Sequence, residues 1–201
     1  MKNSSDIENE NKTVDVMDAL YNRRAVRDYL PTKVSLDLIH TLLDAAIQAP
    51  TALHEEPRAF AVIQKKDRLD RLSNDCKKAL LDEKLKYKTE QTKHILDVIK
   101  QPDYNVFYNA STLIVIYSTY SGPFVKAECW LAAENLMLAA YAKGLGSCVI
   151  GFALSGLNLP EWKHELEIPT SMKAQAAIIL GWPAGETLAP SHTPPKILSW
   201  K

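Results

Sequence analysis

Arg23, Arg24 and Arg27 lie within five residues of one another, in the run Arg23-Arg24-Ala25-Val26-Arg27-Asp28-Tyr29. Guanidinium groups keep their charge at any physiological pH and present planar forks of donors that match phosphate or carboxylate, so this cluster could hold an anion. A basic helix end would account for it equally well, because cations in a last turn complement the helix dipole without any ligand. The cluster alone leaves both readings open.

The chain around it has 201 residues, 46% of them hydrophobic and 24% charged, enough apolar material for one core. We expect a mobile tail over residues 1–12, which is polar throughout and has no signal-peptide pattern, followed by a single domain over 13–201. The 24 basic and 24 acidic residues cancel, so no bulk charge favours nucleic acid or an anionic membrane. The longest apolar stretch, Trp130 to Ala142, is interrupted by Glu134 and Asn135 and falls short of the roughly 20 apolar residues a membrane span needs. These features together suggest a cytoplasmic protein. Cys76, Cys129 and Cys148 are odd in number and widely spaced, which suits buried thiols better than disulfides or a zinc site.

Periodicity supplies the elements that must position the arginines. Thr13 is expected to cap a helix whose Val14, Met17, Leu20 and Tyr21 share one apolar face, and that helix delivers the cluster. A second helix is expected from Ser35, turning Leu36, Ile39, Leu42, Leu43, Ala46 and Ile47 toward the core until Pro50 stops it. Thr51 to Pro57 reads as a loop, Ala59 to Ile63 as a short strand, and Leu69, Leu72, Cys76 and Leu80 as the buried stripe of a surface helix. Asp82 to Lys100 is polar enough to be a marginal helix or a mobile cover. The wider stretch to Tyr108 carries Tyr87, Tyr104, Phe107 and Tyr108, which could stack on a planar molecule or simply pack.

Thr112 to Tyr117 is rich in β-branched residues and apolar throughout, the pattern of a strand buried on both faces. Lys126 to Lys143 is apolar nearly all round, predicting a helix enclosed by protein and capped by Gly144. Ser147 to Ile150 and Ala174 to Gly181 read as strands, Pro160 to Leu166 as a short helix, and the Pro-rich remainder as an extended tail ending in Ile197, Leu198 and Trp200. Without strict β-α-β alternation, the class expected is α+β, with a mixed, mostly antiparallel central sheet enclosed by helices.

Familiar chemical motifs do not hold up. Gly144-Leu145-Gly146 follows a helix and precedes a strand, the reverse of a dinucleotide-binding turn, and Phe152 stands where a phosphate loop needs Lys. His54-Glu55-Glu56-Pro57-Arg58 has no metal-ligand spacing, and no Gly-x-Ser-x-Gly turn is present.

Four segments taken in order change the meaning of the arginines. Arg23 to Tyr29, Ala49-Pro50-Thr51-Ala52-Leu53-His54-Glu55-Glu56-Pro57-Arg58-Ala59-Phe60, Gly144-Leu145-Gly146-Ser147-Cys148-Val149-Ile150-Gly151 and Leu180-Gly181-Trp182-Pro183 together resemble the nitroreductase family. The resemblance runs from about Thr13 to the C-terminus and includes the helix containing Ala132 to Ala140. It implies a nitroreductase-like fold and a homodimer with FMN at the subunit interface, the C-terminal segment of each chain extending onto its partner. By the same resemblance Arg23, Arg24, Ala25 and Arg27 would sit at the FMN phosphate and ribityl end. Pro50, Thr51, Ala52, His54 and Glu56 would meet the flavin from the other subunit. Val149, Ile150 and Gly151 would flank its ring, and His192 and Lys196 would return basic groups to the phosphate.

The activity so implied is that of an FMN-dependent oxidoreductase: NADH or NADPH reduces the flavin, which then reduces a nitroaromatic, quinone or other small planar acceptor. The cofactor carries the hard step, and no catalytic side chain is assigned. Ala25 stands where the family usually has Ser, His54 where it has Asn, Glu56 where it has Gln, Arg58 where it has Trp and His192 where Arg is common. These departures keep open an alternative, a flavin- or ligand-binding relative with weakened or lost turnover. Glu56 could pair with Arg58 or face solvent.

Overall fold

A computed structural model of the chain describes residues 14–84 and 97–201, leaving out the side chains of 83 and 84. The polar N-terminal tail and most of the polar stretch from Asp82 to Lys100, Tyr87 included, lie outside the described residues.

The elements run α1 (Val16–Asn22), α2 (Leu36–Ile47), a 3-10 turn (Ala52–His54), β1 (Arg58–Ile63), α3 (Lys66–Lys84), β2 (Thr112–Ser118), α4 (Val125–Ala142), β3 (Gly146–Val149), α5 (Ala153–Leu157), α6 (Pro160–Glu165) and β4 (Lys173–Gly181). The strands form one sheet in the order β1-β2-β4-β3, and every neighbouring pair is antiparallel. Arg58 pairs with Ser118, Thr112 with Leu180 and Cys148 with Ile179. All seven residues of β2 are buried, as expected for a central strand covered on both faces.

Successive residues of β2 feed opposite cores because side chains alternate across a sheet. Ile114 and Ile116, with Ile178 and Leu180 of β4, pack on Leu42 and Ala46 of α2 and Leu136 and Ala140 of α4. Leu113, Val115 and Tyr117 face the other way, onto Leu69, Leu72 and Cys76 of α3, Ala153 and Leu157 of α5 and Trp162 of α6. The result is three layers, helix on sheet on helix.

Local capping chemistry accounts for several boundaries. Ser35 caps α2 by accepting from the Leu38 amide at 3.3 Å, and Gly144 at φ 76° closes α4. The cap of α1 is Asp15, which accepts from the Met17 amide at 3.0 Å, in place of the expected Thr13. A carboxylate at that end also suits the helix dipole.

Burial corrects the expected core face of α2, whose end residues Leu36 and Ile47 are exposed. In α1 only Ala19 is buried, whereas Val16, Met17, Leu20 and Tyr21 are exposed. The apolar face of α1 has no cover among the described residues. The same holds at the C-terminus, where Ile197, Leu198 and Trp200 are 58%, 85% and 87% exposed among the described residues.

The short helix α5 has no counterpart in the sequence-based expectation. It exists because Gly156 lets it press on α3: a Cβ built there would meet the Cys76 sulfur at 2.4 Å. Burial then pushes the Cys76 thiol up to about 12, and burial beside Cys76 pushes the Tyr117 phenol up to about 12 as well. Both groups keep their protons in the folded chain while the unfolded chain loses them from their ordinary values of 9.0 and 10.0. Their contribution is therefore complete below pH about 9 and lost as pH rises toward 12. Thermal melts at increasing alkalinity should show Tm falling above pH about 9, and Cys76→Val should flatten that fall.

The Tyr117 hydroxyl is buried and has no hydrogen-bond partner among the described residues. An unsatisfied buried hydroxyl costs about 1–3 kcal/mol. Tyr117→Phe is accordingly expected to leave the melting temperature unchanged or raise it by a few degrees.

Candidate functional site

The arginines reach their place by strand-like docking on the edge of the sheet. Ala25 forms a parallel bridge with Ser147 of β3, and the Val26 amide donates to the Ser147 carbonyl at 3.0 Å. Four residues on, Leu30 donates to the Trp182 carbonyl at 2.8 Å and Tyr29 bridges Pro183. The Tyr29 hydroxyl folds back to donate to the Val26 carbonyl at 2.6 Å. Two glycines make the approach possible. A Cβ on Gly146 would meet three atoms of Val26 at 2.8 Å, and one on Gly181 would meet the Tyr29 ring at 2.7 Å.

Arg23, Arg24, Ala25 and Arg27 then line one depression of about 370 Å³, closed on its other side by Thr187, Leu188, Pro190 and His192 of the tail. Arg24 is held by its own backbone, donating from Nη1 to the carbonyls of Tyr21 at 2.8 Å and Arg23 at 2.9 Å. Arg23 lies 3.6 Å through Nε from a Glu134 carboxylate oxygen, outside hydrogen-bond distance, and that buried Nε has no hydrogen-bond partner among the described residues. Ser147 Oγ, one bridge away, is buried and unpaired as well. Buried polar groups without hydrogen bonds are costly, so Arg23 Nε and Ser147 Oγ are the groups here that would gain most from a partner.

Arg27 also belongs to a second depression, of about 200 Å³, with Val149, Ile150, Gly151, Phe152, Tyr104, Val106 and Tyr108. Its guanidinium lies 5.8 Å from the centre of the Tyr108 ring, and Tyr104 packs edge-on against Tyr108 at 5.9 Å. Burial raises the Tyr104 phenol, its hydrogen bond to Tyr108 adds to this, and Arg27 pulls it back. Cys148 is likewise raised by burial and lowered by Arg27 and Arg23, so both charges reach the end of β3. A Cβ on Gly151 would meet nothing, which leaves open space above the backbone there. Of the aromatic residues in the expected cover, Tyr104 and Tyr108 line the depression, while Phe107 is a core residue at 1% exposure.

Two groups of expected site residues fall elsewhere. Pro50, Thr51, Ala52, His54 and Glu56 belong to the loop before β1, while Val149 ends β3, the opposite edge strand of the sheet, and Ile150 and Gly151 follow it. The order β1-β2-β4-β3 puts two strands between those edges, and strands lie about 4.8 Å apart. Neither of the two depressions above is lined by Pro50, Thr51, Ala52, His54 or Glu56. Lys196 is exposed and does not join the arginine depression, although His192 does. Glu56 is exposed at φ 46° and makes no ion pair with Arg58, whose buried guanidinium instead donates to the carbonyls of Ile47 at 2.7 Å and Ala49 at 3.0 Å. Sequence reasoning missed Glu128, a buried carboxylate on α4 that accepts from the Ala52 amide at 2.7 Å. A carboxylate in a largely apolar helix, whose other charges are Lys126 and Glu134, was the available signal.

Among the described residues no group of His, Cys, Asp and Glu is placed to hold a metal ion, and no helix is long and apolar enough to cross a membrane.

The sequence profile of the nitroreductase family matches residues 20–182. The chain belongs to the nitroreductase family. Its four-stranded antiparallel sheet enclosed by helices is a nitroreductase-like fold. A Bacteroides fragilis nitroreductase solved with bound FMN superposes with a TM-score of 0.77 at 26% identity, covering 91% of this chain and 96% of the other. An Archaeoglobus fulgidus protein provisionally named as an NADH dehydrogenase/NAD(P)H nitroreductase is 26% identical over 172 residues, 83% of this chain and 84% of its own length. An iodotyrosine deiodinase of Thermotoga neapolitana is 25% identical over 170 residues, covering 83% and 87%. This nitroreductase family member therefore has relatives with more than one named activity.

Proposed function

We propose that this protein is an FMN-dependent oxidoreductase that takes electrons from NADH or NADPH and passes them to a small planar acceptor. One observation carries the reading: the arginine depression and the depression beside Val149 to Gly151 share Arg27, so an anion-binding end runs directly into a half-apolar, aromatic-walled end. A molecule with a dianionic phosphate at one end and a flat ring at the other has that shape. The unpaired Nε of Arg23 supplies a donor for the phosphate, and Arg24, Arg27 and His192 complete a cationic wall around it. Ala25 offers no hydroxyl there, so the backbone and the guanidinium groups carry the binding.

FMN, when bound, supplies the transfer of reducing equivalents. The chain's own part is to hold, orient and cover. Arg27, which lines both depressions, would place positive charge beside the bound cofactor. Tyr104, kept as a neutral phenol by burial, and Tyr108 wall the depression and exclude water. Exposed Glu56 can remain in water.

The functional unit in this reading is a homodimer. The bare apolar face of α1, the exposed Leu53 at 86% and the apolar tail end all lack cover in one chain, which is the condition of a surface made for a second copy. The separation of the Pro50 to Glu56 loop from Val149 supports the same conclusion, since a second copy could bring its loop to this ring segment. Nitroaromatics, quinones and halogenated phenols are the acceptor classes to compare.

Absorbance spectroscopy tests the proposal. Purified protein should carry or take up FMN at one per chain, and NADH or NADPH should bleach it, with colour returning on adding a nitroaromatic or quinone. Protein that neither acquires flavin absorbance nor is stabilised by FMN overturns the reading. Binding without bleaching identifies the binding-only alternative.

A further inference from the structure

The loop between α2 and β1 has a backbone that side-chain preference does not explain. Leu53, His54 and Glu56 adopt φ of 55°, 58° and 46°, the left-handed region that L-residues other than Asn and Asp avoid. Conformations of this sort persist only when their surroundings over-determine them. Here the surroundings are specific. Arg58 Nη2 holds the carbonyls of Ile47 and Ala49 before the loop, and the Glu128 carboxylate holds the Ala52 amide within it at 2.7 Å. Beyond the loop, the Thr119 amide donates to the Pro57 carbonyl at 3.1 Å.

Arg58 and Glu128 are charged groups at 9% and 5% exposure, an expensive way to tie down a loop. Arg58 in particular leaves both Nε and Nη1 buried and unpaired among the described residues. A side chain selected for stability alone would satisfy those donors or be apolar. The negative end of α2 offsets part of the cost of the cation, which also explains why an arginine fits here.

We propose that Arg58 and Glu128 are positioning residues, a buried bracket that fixes the Pro50 to Glu56 loop in the shape needed to meet FMN bound to a second copy of the chain. The inference rests on the FMN reading above. It assigns no contact with flavin to either side chain. Their effect passes through the backbone of Ala49 to Ala52.

Four variants test it, Arg58→Met, Arg58→Lys, Glu128→Ala and Glu128→Gln, each measured for FMN dissociation constant, melting temperature of the flavin-free protein and amide exchange over residues 49–56. Arg58→Met and Glu128→Ala should raise the dissociation constant about 10-fold or more, as expected when a preorganised loop is freed. Exchange at Ala52 should quicken by a similar factor, while the flavin-free melting temperature moves by less than about 5 °C. Glu128→Gln keeps an acceptor for the Ala52 amide and should bind within about threefold of the parent. Arg58→Lys, with one ammonium in place of a fork, should fall between parent and Arg58→Met.

Unchanged FMN affinity in Arg58→Met and Glu128→Ala overturns the proposal. So does a loss of affinity that tracks a large fall in melting temperature and is not rescued by Glu128→Gln. If Arg58→Met does not fold, the two Glu128 variants decide between the same outcomes. A parent protein that binds no FMN defeats the functional reading instead, and unchanged exchange at Ala52 in Glu128→Ala would then overturn the bracket on its own.

Discussion

Arg23→Ala is expected to raise the dissociation constant for FMN by about 10- to 100-fold, the loss of one charge-assisted contact worth about 1.5–3 kcal/mol. The dissociation constant for riboflavin, which lacks the phosphate, should stay within about twofold of the parent's. Arg23 is singled out because its Nε is buried with no hydrogen-bond partner, whereas Arg24 already spends Nη1 on two backbone carbonyls. The nearby Glu134 oxygen at 3.6 Å keeps the guanidinium oriented without satisfying it. Arg23→Lys should recover part of the affinity, because charge survives and the fork does not. Fluorescence titration of both flavins checks the prediction. Equal losses for FMN and riboflavin would mean that Arg23 shapes the protein and does not bind phosphate.

The second large effect lies in the backbone that carries the arginines. Gly146→Ala is expected to destabilise the protein by about 1–3 kcal/mol and to weaken FMN, because the new methyl meets Val26 Cβ, Cγ1 and Cγ2 at 2.8 Å. Val26 is 7% exposed and pinned through its amide to Ser147, so it has little room to retreat. The segment must then lift from β3, taking Ala25 and the flanking arginines with it. Adding Val26→Ala should restore only part of the stability, since Val26 Cβ is itself one of the 2.8 Å contacts. Urea melts of the parent, the single and the double variants measure the coupling between the two positions. A Gly146→Ala protein with parental stability and parental FMN affinity would show that the segment docks less rigidly than these distances require.

Both predictions concern long-range contacts, and the sequence was least informative there. Elements with strong local patterns were legible: the fully apolar β2, the Leu69, Leu72, Cys76 and Leu80 stripe of α3, and the Ser35 cap of α2. Their signals reside in a few neighbouring residues. The five-residue α5 escaped notice because it owes its existence to Gly156 against Cys76, residues 80 positions apart in sequence. The apolar residues of α2 were read as facing the core, yet Leu36 and Ile47 at its ends are exposed, because periodicity names a face without naming how far its cover extends.

The candidate site divides along the same line. Residue types alone told that Arg23, Arg24 and Arg27 could hold an anion, and the order of four segments told which family the chain resembles. Which guanidinium has a donor to spare was settled by backbone carbonyls that happen to meet Arg24 and not Arg23 Nε. Arg27 turned out to join two depressions, a consequence of Ala25 pairing with Ser147 more than a hundred positions away. The pairing of Glu56 with Arg58, left open by their closeness in sequence, was decided against by the carbonyl ends of α2, which offered the guanidinium a better-placed set of acceptors.

By itself, then, the sequence determined the helices and strands other than α5, the α+β class and the chemical character of the arginine cluster, since each is written in side-chain type and short-range spacing. Only the tertiary structure decided which arginine is unsatisfied, how Gly146 and Gly181 admit the segment that carries it, and that the Pro50 to Glu56 loop lies across the sheet from Val149. Those are properties of the distance between residues remote in the chain, set by sheet order and close packing, and no local pattern encodes them.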